Sequence, residues 1–127
     1  MSIGRIARTV YILQLRGGKY YVGKTTDLGR RLAEHVAGIG SVWTAKYPMM
    51  GVVQTIPNAN AFEEDRWVKE MMSHHGIDNV RGGAYSNRVL DFVQCVALQR
   101  ELWSAADRCL RCGSSDHRIG RCPTLRQ

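Results

Sequence analysis

Residues 9–25 read TVYILQLRGGKYYVGKT, and this stretch decides the fold class. Its first seven residues are rich in β-branched and aromatic side chains, which predicts a strand over 9–15. Arg16-Gly17-Gly18-Lys19 reads as a tight turn and Tyr20-Tyr21-Val22-Gly23 as the returning strand, so the segment is a β-hairpin. Leu28, Leu32, His35 and Val36 then recur at helical spacing, with Thr26 or Asp27 placed to cap the helix and Gly38 to end it. Residues 39–48 read as a loop, and residues 50–56 as a third strand stopped by Pro57. Asn60 and Glu63 have the spacing of a capping box, opening a second helix whose apolar side carries Trp67, Val68, Met71 and Met72. Residues 81–85 read as a loop and 87–107 as a third helix. The order β-β-α-β-α predicts an α+β fold: a small three-stranded antiparallel sheet flanked by helices.

The chain has 127 residues, enough for one domain and a small appendage. The expected division is a domain over 1–107 and a short unit over 108–127. The formal charge is +7, and the 18 basic residues are mostly Arg. Arg forks onto phosphate oxygens, so polyanions are the first partners to consider. No apolar run approaches the ~18 residues of a membrane span. Residues 1–15 offer too short an apolar stretch for a secretory leader.

Cys109, Cys112, His117 and Cys122 are spaced C-x2-C-x4-H-x4-C. Zn2+ takes four such ligands in a tetrahedron, and a segment this short cannot bury a core of its own. One structural zinc ion is therefore expected here, in a closed site. Clustered thiols favour a reducing, intracellular setting over a disulfide scaffold. The segment resembles the CCHC zinc knuckle, which implies contact with nucleic acid. It contains no aromatic residue, so Leu110 is the available apolar platform. Arg111, Arg118 and Arg121 are the candidate nucleic-acid contacts, with Arg108 and Arg126 adding charge. Cys95, on an apolar helix face, reads as a core thiol.

Tyr11 and Tyr21 sit on the two hairpin strands, and Arg31 and His35 share one face of the helix that follows. Thr9-Val10-Tyr11 stands where the GIY tripeptide stands and Tyr21-Val22-Gly23 where YIG stands, with Lys24, Arg31 and His35 at the expected distances. Over about residues 8 to 100 the chain resembles the GIY-YIG nuclease domain. The loop Asn79-Val80-Arg81-Gly82-Gly83 is similar to members of viral and related origin. The resemblance implies phosphodiester hydrolysis with one divalent ion, Mg2+ or Mn2+, on an acidic residue of the second helix. Glu63 and Glu64 are the two candidates. Glu63 is the capping partner of Asn60, whereas Glu64 shares the inward face with Trp67, Val68 and Met71, so Glu64 is the expected ligand.

On this reading Tyr11 positions or deprotonates the attacking water beside Lys24, its hydroxyl made more acidic by neighbouring cations. Tyr21 bonds the phosphate or the water, Arg31 neutralises transition-state charge, and His35 moves a proton. Asn79 is a further polar candidate, while His74 and His75 suit a helix C-terminus. The expected function is a metal-dependent DNA endonuclease, structure-selective or weakly specific, with its knuckle assisting binding and with branched and single-stranded DNA among the candidate partners. The alternative is an inactive nucleic-acid-binding or assembly module on the same fold.

Overall fold

A computed structural model describes residues 7–123. Arg126 lies outside the described residues. The chain divides into two compact units, Met1–Val89 and Leu90–Gln127.

In the first unit β1 (Thr9–Leu15) and β2 (Lys19–Thr25) form the hairpin, and α1 (Leu28–Val36) follows. Then come α2 (Val42–Lys46), β3 (Met49–Ile56), α3 (Glu63–His75) and β4 (Val80–Gly82). The sheet order is β3-β1-β2-β4. Strand β1 pairs antiparallel with β2 and β3, whereas β4 pairs parallel with β2. The sheet is thus four-stranded and mixed, not three-stranded and antiparallel, though the α+β class holds. Strand β4 is three residues long. It was hidden in a Gly-rich stretch, and a strand that short has no alternation to read. Gly82 brings it in: its φ is +152°, and a Cβ there would fall on the Val22 carbonyl oxygen.

The central strand explains the core. Val10, Tyr11, Ile12 and Leu13 are all buried, so β1 is covered on both faces. Tyr11, Leu13, Leu15 and Tyr21 pack with Trp43 of α2 and with Leu28 and Leu32 of α1. Strand alternation sends Val10, Ile12 and Val22 to the opposite face. There α3 lies against β2 and β4, contributing buried Val68 and Met72.

Two local readings change. Residues 39–48 are not all loop: Ser41 Oγ caps α2 by accepting from Thr44 N at 3.0 Å. The Asn60 box is half made. Asn60 N donates to Glu63 Oε2 at 2.7 Å, but Asn60 Oδ1 accepts from Phe62 N at 2.8 Å. That local turn competes with a helix cap, so α3 starts only at Glu63. Asp27 does cap α1 as expected, accepting from Arg30 N at 3.1 Å.

In the second unit α4 spans Phe92–Ala105, shorter than the expected 87–107. It opens on a capping box of Asp91 and Gln94. Compactness groups α4 with the Cys/His segment, whereas the sequence division at 107 placed it with the sheet. Cys95 is half-buried, its thiol 3.9 Å from Leu90 O.

Candidate active site and metal centre

The hairpin register sets Tyr11 directly opposite Gly23. A Cβ at position 23 would land on the Tyr11 hydroxyl, so only glycine lets this ring lie across β2. Tyr11 is fully buried and Tyr21 nearly so, their rings 6.3 Å apart. From α1, Arg31 Nε donates to the Tyr11 oxygen at 3.2 Å, and His35 Nε2 lies 2.8 Å from it. Arg31 is itself fixed by Glu34 Oε1 at 3.0 Å and the Gly40 carbonyl at 2.9 Å.

His35 carries the network inward. Its Nδ1 lies 2.8 Å from Thr44 Oγ1, which lies 2.9 Å from Ser41 Oγ. Gly40 packs so closely on the imidazole that a Cβ there would overlap Nδ1. Thr44 and Ser41 were missed by sequence reading because they fall in a segment without periodicity. The usable signal was Ser41 standing three residues before Thr44, the spacing of a helix cap.

On α3, Glu64 Oε1 lies 3.7 Å from Lys24 Nζ, the Glu64 side chain 17% exposed. Glu63 instead caps the chain entering α3. Asn79 and the two histidines serve structure: Lys19 Nζ donates to Asn79 Oδ1 at 2.7 Å, and His75 stacks on Tyr20 at 4.1 Å. His74 lies 3.8 Å from Glu70.

Burial governs the electrostatics. It pushes the Tyr11 hydroxyl well above its ordinary value, and the bond from Arg31 only partly offsets this. Tyr21 is raised for the same reason. The expected acidification of Tyr11 by its cationic neighbours is therefore reversed: loss of solvation for a phenolate outweighs one guanidinium. His35 is lowered to about 4 by burial, reinforced by Arg31, so it is neutral at pH 7. Burial raises Glu64 above the usual carboxylate range, and Lys24 opposes this. Among the described residues this half-buried carboxylate has one long ion pair, to Lys24, with the Arg8 charge adding less, and burial still outweighs both. Such a carboxylate suits a hard divalent cation, which needs one or two carboxylates and keeps its own waters.

The site thus gathers Tyr11, Tyr21, Arg31 and His35 in one bonded cluster. The Glu64 charge is close enough to push both tyrosine hydroxyls upward. The GIY-YIG catalytic domain model matches residues 8–79, from β1 through the end of α3 and the turn after it. The chain belongs to the GIY-YIG family. A UPF0213 protein of Halalkalibacterium halodurans is 31% identical over 83 residues, covering 61% of this chain and 88% of that protein. One of Cupriavidus pinatubonensis is 36% identical over 67 residues, covering 50% and 74%. One of Streptococcus pneumoniae is 49% identical over 41 residues, covering 32% of this chain and only 41% of that protein. No solved structure matches.

Among the described residues, a Cys/His group outside the GIY-YIG unit could also hold a metal ion. In the second unit the ligand atoms of Cys109, Cys112, His117 and Cys122 lie within 4.8 Å of one another. Cys112 Sγ is 3.8 Å from Cys122 Sγ and 3.4 Å from His117 Nε2. Tetrahedral Zn2+ with its usual bond lengths gives edges of about 3.8 Å and 3.5 Å. Cys109 and Cys122 are buried, and the Arg111 N–H donates to Cys109 Sγ at 3.4 Å, as it would to a thiolate. The Cys3His set is compatible with a zinc knuckle. Among the described residues, no helix is long and apolar enough to cross a membrane.

Proposed function

We propose that the GIY-YIG unit is a metal-dependent endonuclease that hydrolyses DNA phosphodiesters, and that the zinc-bearing tail assists its grip on nucleic acid. The observation carrying this reading is the convergence of Tyr11, Tyr21, Arg31, His35, Lys24 and Glu64 from β1, β2, α1 and α3. Sheet and helix residues kept for packing alone do not assemble a guanidinium, two hydroxyls and an under-compensated carboxylate together.

Glu64 would hold Mg2+ or Mn2+, which when bound would supply positive charge for the phosphate and the leaving oxygen. Tyr11 works as a neutral hydroxyl, because burial makes its phenolate costly. It orients the attacking water and takes the water's proton while giving its own to His35 Nε2. His35 receives that proton with Nδ1–H directed at Thr44 Oγ1. Arg31 stands against the oxygen where charge builds. Tyr21 and Lys24 contact the phosphate. In the tail, Arg111, Arg118 and Arg121 meet the backbone.

Incubation with branched, single-stranded and duplex DNA, with and without Mg2+, tests the reading. Mg2+-dependent nicking lost in Glu64→Ala supports it. Binding without cleavage of any of the three leaves a nucleic-acid-binding module on the same fold.

A further inference from the structure

The Cys/His segment has no aromatic residue, yet the second unit supplies one from outside it. Trp103 of α4 packs on Gly113 so tightly that a Cβ there would sit 2.7 Å from Cε2 and Cζ2 of the indole. Gly113 has φ +78°, which suits glycine twice over. The indole is half-buried, and it also lines an open groove of about 330 Å3. Val96, Leu110 and Ile119 form apolar walls, while Gln99, Arg100 and Arg111 complete the lining among the described residues. Among the described residues, no carboxylate lines the groove.

We propose that this groove is a stacking site for one unpaired nucleobase, with Trp103 as the platform and Arg100 and Arg111 as contacts to the flanking phosphates. The proposal rests on the reading of the tail as a nucleic-acid grip and names how that grip is made. The chemistry selects the occupant. An indole flanked by aliphatic side chains takes a flat, weakly polar ring, and two guanidiniums require that the ring belong to a polyanion. A base inside a duplex has both faces covered by its neighbours, so the ligand must be single-stranded or splayed from a junction. Gln99 adds an amide that can bond a base edge. An acidic peptide satisfies the guanidiniums and leaves the indole without a ring partner.

The test uses the zinc-loaded full chain in buffer without Mg2+, so that no cleavage intrudes. Fluorescence anisotropy reads the binding of a single strand about twelve nucleotides long and of the same strand carrying abasic sites. The wild type should bind the abasic strand at least about five-fold more weakly, the loss expected for one stacked base. Trp103→Ala should weaken the normal strand by the same factor, add nothing to the abasic defect, and leave the salt dependence unchanged because no charge is lost. Arg111→Gln should instead flatten the salt dependence by about one unit of slope. Equal wild-type affinity for normal and abasic strands overturns the stacking site while leaving the broader grip intact, and it needs no variant to fold. Unchanged affinity of Trp103→Ala with full zinc content overturns it as well. No binding to either strand at low salt removes both the grip and the stacking site.

Discussion

Glu63 and Glu64 are neighbours with different partners. Glu63 Oε2 accepts from Asn60 N, and Glu64 turns toward Lys24 and the sheet. Glu63→Ala should cost about 1 kcal/mol of stability, the size of a lost cap, and leave cleavage intact; Glu64→Ala should abolish cleavage and keep the fold. Melting curves and nicking assays on both variants read this directly, and a silent Glu64→Ala reverses the assignment. Arg31→Ala should lower the rate at least about a hundred-fold while DNA affinity falls much less, since its charge is needed most in the transition state. Equal losses in Kd and kcat make Arg31 a ground-state phosphate anchor instead. His35 titrates near 4 in the fold against about 6.5 when unfolded. The unfolded chain therefore takes up the proton first, and stability falls as pH drops from about 6.5 to about 4. His35→Gln should flatten that acid limb in a series of thermal melts. An unchanged pH dependence places the acid sensitivity elsewhere.

At the scale of elements, two glycines decide where strands and rings can go. Gly23 admits the Tyr11 ring across the hairpin, and Gly82 admits β4 beside β2. Both carry the sheet into the site: β1 presents Tyr11, β2 presents Tyr21 and Lys24, and a Cβ added at Gly83, just after β4, would stand 3.5 Å from Glu64 Oε1. Gly82→Ala should detach β4, because its new methyl meets backbone that cannot yield. The expected loss exceeds ~3 kcal/mol in denaturant unfolding, with faster amide exchange at Val80–Gly82. Wild-type stability in Gly82→Ala would mean that the β2–β4 contact relaxes easily. The short α2 matters out of proportion to its length, since Trp43 enters the core and Thr44 holds His35.

For the whole molecule the division of labour follows the two compact units. The proposed catalytic cluster lies within the first, and the Cys3His set within the second. Replacing Cys112 and Cys122 with Ser should release the zinc and weaken DNA binding most at low salt. Cleavage should survive at high enzyme concentration, because none of the proposed catalytic residues lies beyond α3. Activity that vanishes at every enzyme concentration would make the tail part of the catalytic machinery.

Periodicity and spacing determined much of this by themselves. Arg31 and His35 were legible as sharing a face because helix spacing fixes it, whereas their grouping with Tyr11 and Tyr21 came from the resemblance of the ordered motifs to the GIY-YIG domain. The Cys3His ligands were legible because a metal site made within a short loop is a local matter of spacing. The tertiary structure decided the rest. The pairing of β4 with β2 joins residues 60 apart in sequence, such as Tyr20 and Val80, and no local pattern encodes such a contact. The bonds of His35 to Tyr11 and Thr44 span 24 and 9 residues. The direction of the Tyr11 shift was likewise beyond the sequence, which shows the nearby cations but not the loss of water that outweighs them.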